Sequence, residues 1–253
     1  MLNSKKVCIF VDGENLRHSI CDLFPNFNKF EYLPRANWGQ FFDWISESVT
    51  GSGCDRIRTY WYVVQNIDFY PFQINSAKND GKYEFLYKIL SRNKSCKDSI
   101  DKRATGDEKN ETIDKLVEVL IKRKDAMQKR FNGWVEIQNT IARESNSVEF
   151  RRAGAIRFDL FDEQLGSEKA VDVKLATDLI KLKDIYDIAI ILSGDQDYSP
   201  AVDLAKDLGK RIVNVSFLTS NGKLLPGGAK RLNQSTDWSF EVPYIDSKKY
   251  FNL

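Results

Sequence analysis

Two short apolar runs, each ending in an acid-rich turn, constrain this chain more than any other feature. Residues 6–11, KVCIFV, lead into Asp12-Gly13-Glu14-Asn15, and residues 188–192, IAIIL, lead into Ser193-Gly194-Asp195-Gln196-Asp197. Unbroken aliphatic and β-branched runs of this length are expected of strands buried on both faces, as in parallel sheets covered by helices. A helical pattern over 198–208 and a further strand over 211–217, RIVNVSF, complete a strand–helix–strand unit. Such a unit builds a parallel sheet by right-handed crossover, so the expected fold class is α/β.

The remaining pattern is less even. Phe41, Phe42, Ile45 and Val49 share one face of a helix expected over 38–49, stopped by Gly51-Ser52-Gly53. Residues 56–64, RIRTYWYVV, are expected to form a second strand. From 65 to 146 the pattern is that of a largely helical insertion, with helices over 83–91 and 108–131 joined by a polar, basic connection. Strand-like runs follow at 134–141 and 147–158, then a helix over 170–183. Residues from about 218 to 253 are expected to be a tail that packs back through Trp238, Phe240, Tyr244, Tyr250 and Phe251.

In a parallel sheet, strands that leave at the same edge place their following turns together. Asp12, Asp195 and Asp197 are therefore expected at one edge. On the helix 170–183, Val171, Leu175, Leu179 and Leu182 span an apolar arc of about 80°. Asp172 borders that arc in the first turn, near the same edge, and Asp178 borders its other side roughly 9 Å further along. Carboxylates brought together raise one another's pKa unless a cation lies between them. An oxygen-only set without His or Cys favours Mg²⁺ or Mn²⁺, able to polarise a phosphoryl oxygen and acidify a bound water for phosphodiester cleavage. Each acid alone has an ordinary use, in a turn, a helix cap or a solvated helix face; their joint placement is what points to chemistry.

Composition narrows the classes further. The 38 basic and 36 acidic residues nearly cancel, so nucleic-acid binding would require local rather than overall positive charge. One histidine and four scattered cysteines argue against a structural zinc site or a disulfide framework. No apolar run suits a membrane span, and an amino terminus running straight into a strand leaves a cytoplasmic location as the expectation.

The segments IFVDGENL, EKAVDVKLATDLI and AIILSGDQDYSPAVDLAKDLGKRIVNVSF, in that order, resemble the NYN domain of the PIN-like nuclease superfamily, in its bacterial LabA-like branch. The resemblance spans roughly 5–20 and 147–217, and 35–64 more loosely. It implies a three-layer α/β/α fold and metal-dependent cleavage of RNA. By motif, Asp12 resembles the first-strand metal ligand, Asp172 the helix acid, and Asp195 and Asp197 the loop pair; Asp178, from its place on the helix wheel alone, is a further catalytic candidate of second rank. Asn15 resembles a residue that orders the site or contacts substrate, and Ser193 is similarly placed to approach a phosphate. The insertion departs from a minimal domain of this type and is a place for substrate specificity, autoinhibition or, like the tail, a homodimer contact.

Arg17 and His18 follow the first motif as phosphate contacts or, for His18, as an aid to proton transfer, against the more ordinary reading of His18 as a surface helix position. The stretch KNDGKYEFLYKILSRNKSCKDSIDKR mixes cations with Tyr83, Phe85 and Tyr87, suiting either an RNA track or a solvated amphipathic helix. Two other functions compete with an endoribonuclease. One is a regulatory RNA-binding module that keeps the acids without turnover. The other is a phosphohydrolase using a first-strand Asp, which would want an Asp where this chain has Glu14.

Overall fold

In the computed structural model, residues 4–27, 32–51, 53–225 and 229–253 are described. Ser52 of the expected helix stop lies outside them, as do 226–228 of the tail. The chain divides into two compact units. The first contains Met1–Gln65, Trp134–Gly154 and Lys169–Leu253; the second contains Asn66–Gly133 and Ala155–Glu168.

The first unit is built on β1 (Lys5–Asp12), whose last six residues are buried. It lies between two parallel neighbours, β2 (Cys54–Tyr70) and β5 (Ile188–Leu192). A further parallel strand, β6 (Arg211–Leu218), pairs with β5, and β8 (Trp238–Val242) runs parallel beside β6. The short β7 (Leu224–Leu225) closes against β6 antiparallel. With β3 (Val148–Asp159) beyond β2, the order is β3-β2-β1-β5-β6-β7.

Side chains alternate across this sheet, so each face has its own partners. Register sets Val11 opposite Trp61 and Asp12 opposite Tyr62. Trp61 packs on Trp38 and Phe42 of α2 (Trp38–Thr50). Phe251 of α10 (Tyr244–Phe251) meets Trp38, Phe41 and Phe217 there, and also Phe24, just after α1 (Gly13–Leu23). Each such ring pair contributes about 0.5–1.5 kcal/mol beyond its buried area. On the opposite face Phe10 stacks on Tyr62 and meets Tyr186 edge-on. There Tyr62 donates to Asp178 of α7 (Val171–Lys181), and Asn214 donates to Asn233 of α9 (Ala229–Ser235). Ser235 of α9 in turn meets Ser199, the first residue of α8 (Ser199–Asp207). The protein is thus a three-layer α/β/α fold with a mainly parallel sheet and a largely helical insertion.

In the second unit, the outer parts of β2 and β3 continue and β4 (Gln164–Lys169) begins beside β3. Its helices are α3 (Ile74–Asn79), α4 (Tyr83–Leu90), α5 (Lys94–Asp101) and the first part of α6 (Gly106–Glu144).

Several elements differ from expectation. Residues 134–141 are the last turns of α6, not a strand: Phe131, Trp134, Gln138 and Ile141 are buried at helical spacing. The polar connection after α4 holds α5, which is capped by Asn93 and buries only Ile100. Residues 134–154, partly within the expected insertion, belong to the first unit, and the tail supplies β8 and α10 to it. No helix among the described residues is long and apolar enough to cross a membrane.

Candidate functional site

The site is assembled where β1 and β5 end. Asp12 closes β1 and caps α1, its Oδ1 accepting from the Asn15 N–H at 3.1 Å. Gly13 is required there by close approach: a Cβ would sit 2.4 Å from the Tyr62 carbonyl oxygen. The other carboxylate oxygen of Asp12 accepts from Asn15 Nδ2 at 3.1 Å and from Ser193 Oγ at 2.9 Å. Asn15 also reaches across the strands, its Oδ1 accepting from the Gly194 N–H at 3.1 Å. Ser193 Oγ accepts from the Asp195 N–H at 3.1 Å. Asn15 and Ser193 therefore bolt the two strand ends together, with Asp12 at the centre.

Asp172 comes from the first turn of α7. That turn is set by backbone geometry: Ala170, just before it, is left-handed at φ 74°. Gly154 lies so close that a Cβ there would be 1.7 Å from the Lys169 carbonyl oxygen. Tyr198, 1% exposed, joins the two acids: its hydroxyl donates to Asp172 Oδ1 at 2.9 Å and lies 3.3 Å from Asp12 Oδ2. Nothing in the sequence singled out Tyr198. Its signal is a tyrosine directly after the SGDxD turn, which by composition alone looks like a core aromatic.

Asp12 is 2% exposed. Burial pushes its carboxyl up to about 6; hydrogen bonds from the Asn15 backbone and Ser193 oppose that, and the negative charge of Asp172 adds to it. Burial and the neighbouring charges of Asp12 and Asp172 also raise the Tyr198 phenol well above its ordinary value, so it stays a proton donor. Among the described residues, none of Asp12, Asp172, Asp195 and Asp197 has a Lys or Arg partner.

The expected acids do not all share this place. Asp195 is half-buried and its Oδ1 caps the Asp197 N–H at 2.9 Å, while Asp197 is exposed. Among the described residues no three His, Cys, Asp or Glu side chains stand close enough to share one cation. Asp178 is fully buried in a different setting, bonded to Arg151, Lys174 and the Tyr62 hydroxyl. Burial disfavours its charge, but the contacts with Arg151 and Lys174 outweigh that and hold its carboxyl below the usual range. Arg17 is paired with Glu14 at 3.1 Å, and the largely exposed His18 lies 4.0 Å from the same carboxylate. At the rim, Arg231 of α9 donates to Gln196 at 2.6 Å, bringing a cation to the SGDQD turn that sequence reasoning missed.

The second unit has a cavity of about 430 Å³ lined by Tyr83, Tyr87, Asp101 and Ile113, among others. The Tyr83 and Tyr87 hydroxyls are used within the unit, donating to Asp114 and Asp101.

Comparison with curated proteins finds no match. A solved structure of a protein of unknown function from Vibrio parahaemolyticus is similar at 15% identity and a TM-score of 0.46, over 96% of this chain and 95% of that one. That likeness is too weak to carry an argument. The NYN domain family model matches residues 74–226, a span that contains Asp172, Ser193, Asp195, Asp197 and Tyr198, while β1 with Asp12 and α1 with Asn15 precede it. With more than half of its length matched, the chain belongs to the NYN domain family, within the PIN-like superfamily.

Proposed function

We propose that this protein is a metal-dependent ribonuclease that cuts RNA internally, using Mg²⁺ or Mn²⁺ held at Asp12 and Asp172, with Asp195 and then Asp197 further out. The family points to a nuclease-type hydrolase. One observation carries the finer reading: a buried carboxylate, Asp12, lies beside a second acid, and among the described residues no basic side chain balances either. Where a protein needs a buried carboxylate only for structure it supplies a counter-charge, as it does here for Asp178.

The residues present suit a hard cation. Asp12, Asp172, Ser193 and Asn15 offer only oxygen acceptors, and Mg²⁺ is commonly held by one or two carboxylates with water completing its shell. Such an ion, when bound, supplies a Lewis acid for a phosphoryl oxygen and an acidified water at neutral pH. The chain's own part is positional. Asn15 and Ser193 fix the Asp12 carboxylate, Tyr198 spaces it from Asp172, and Arg231 offers positive charge at the rim. In the hydrolysis itself, a water oxygen bonds to phosphorus as the bond to the leaving sugar oxygen breaks, and that oxygen takes a proton.

The test is cleavage of total cellular RNA by wild type and Asp12→Asn with either ion. Loss of cut sites in the variant and in EDTA supports the reading; equal cutting by both proteins sinks it. A second reading, an RNA-binding module without turnover, is favoured by the lack of a third carboxylate within reach of the first two among the described residues. Gel-shift binding with no cutting at saturating Mn²⁺ selects it.

A further inference from the structure

The second unit carries an exposed arrangement of rings and guanidinium groups that no internal ion pair explains. Tyr70 ends β2, and Phe72, two residues on, is 67% exposed. The Arg157 guanidinium lies 4.1 Å from the centre of the Tyr70 ring and 5.9 Å from that of Phe72. Arg92, just after α4, lies 5.9 Å over the Tyr70 ring and donates to its hydroxyl at 3.4 Å. Both arginines are exposed, and among the described residues neither has a carboxylate partner.

Some arginines of this protein, Arg58, Arg123 and Arg151, are paired with acids, whereas Arg92 and Arg157 lie against aromatic rings instead. Stacking on the Tyr70 ring uses one face of the Arg157 guanidinium and leaves its N–H edges for an acceptor outside the protein, while Arg92 spends one N–H on the Tyr70 hydroxyl and keeps the others. Phosphate matches those edges in geometry and charge. A large exposed ring beside two such cations gives a base a face to stack on while its backbone meets the arginines. A duplex hides its base faces, so this pattern fits an unpaired strand.

We propose that Phe72, Tyr70, Arg92 and Arg157 form a binding platform for single-stranded RNA, with Phe72 stacking on a base and the two arginines contacting phosphates. The platform deepens the proposed ribonuclease reading by naming the form of its substrate, and it rests on that reading.

The test measures binding apart from cutting. Fluorescein-labelled single-stranded and duplex RNA of equal length are titrated with the full chain in EDTA, followed by fluorescence anisotropy. Phe72→Ala weakens single-strand binding roughly tenfold. The Arg92→Ala/Arg157→Ala double variant lowers affinity and flattens the salt dependence by about 0.7 for each phosphate no longer neutralised. Circular dichroism and melting curves confirm that the variants are folded, and Phe72→Tyr, which keeps the ring, restores affinity. Unchanged single-strand affinity in folded Phe72→Ala and in the arginine variant overturns the proposal, as does wild-type preference for the duplex. The ribonuclease reading is judged separately, since Asp12→Asn loses cutting but keeps this binding.

Discussion

Ser193 and Asp12 stand 181 residues apart in the chain and are joined by a buried 2.9 Å hydrogen bond. The bond ties the end of β5 to the end of β1 at the point where the acids gather. Ser193→Ala removes it and leaves the Asp195 N–H without its acceptor. A loss of about 1.5–3 kcal/mol is expected for a hydrogen bond to a charged group. Chemical denaturation measures it, and a cleavage assay should show a drop of at least tenfold as Asp12 loses its orientation.

The raised Asp12 carboxyl makes metal-free stability depend on pH. An acid whose folded pKa exceeds its unfolded value holds its proton more tightly when folded. Its contribution is complete below the ordinary 3.8 and is lost as pH rises through about 6. That interval corresponds to something on the order of 2–3 kcal/mol. In EDTA the wild-type melting temperature should therefore fall between pH 4 and pH 7 relative to Asp12→Asn. Mg²⁺ or Mn²⁺ at pH 7 should restore the wild type and leave the variant unmoved.

Tyr198→Phe keeps the buried ring and deletes only the hydroxyl between the acids. Asp172 loses a 2.9 Å donor, so the metal-free protein should melt lower. The phenol also occupies acceptor positions that a cation would use, so the increment in melting temperature on adding Mn²⁺ should grow. Equal increments in wild type and variant would refute the shared-oxygen account.

Asp178 serves the scaffold. Breaking a buried pair by removing one partner typically costs about 3–5 kcal/mol. Arg151→Ala leaves the fully buried Asp178 carboxylate with only Lys174 and Tyr62 beside it, whereas Asp178→Ala leaves the guanidinium paired with Glu149. Under urea Arg151→Ala should be destabilised on that scale, and Asp178→Ala by less. Cleavage per folded molecule should be retained, which separates this acid from Asp12.

Gly154→Ala tests how Asp172 is delivered. The residue sits at φ 60° and an added Cβ would collide with the Lys169 carbonyl, so backbone on both sides must shift. A cost of about 1–3 kcal/mol is expected from the conformation alone, with more from the collision. Because α7 starts at Val171, cleavage should fall further than stability.

Much of this arrangement was legible because β1 and β5 carry unbroken apolar runs and β6 is largely apolar, so their burial leaves little alternative. Asp12 and Asp195 follow from where those runs stop, and Asp172 from its place on the α7 wheel. Other features depend on partners that spacing cannot supply. WVEIQNTI alternates locally like a strand, and its helical stripe appears only when Phe131 is counted with Trp134, Gln138 and Ile141. β4 is polar and largely exposed, so it carries little hydrophobic signal. Asp172 and Asp178 flank the same arc on a wheel and differ there only in their place along the helix axis; that Asp178 is ion-paired shows only with Arg151, arriving from β3.

The position of β1 between β2 and β5 also orders events during synthesis. β2 emerges from the ribosome soon after β1, but β5 and Tyr198 follow only after the entire second unit has been made. At roughly 5–20 residues per second, Asp12 waits on the order of ten to forty seconds for its far-side neighbours. Until then its carboxylate faces water and no enclosed acid pair exists. A nascent chain stalled before β5 therefore lacks the enclosed acid pair, and any nuclease activity begins only after β5 and Tyr198 have been made.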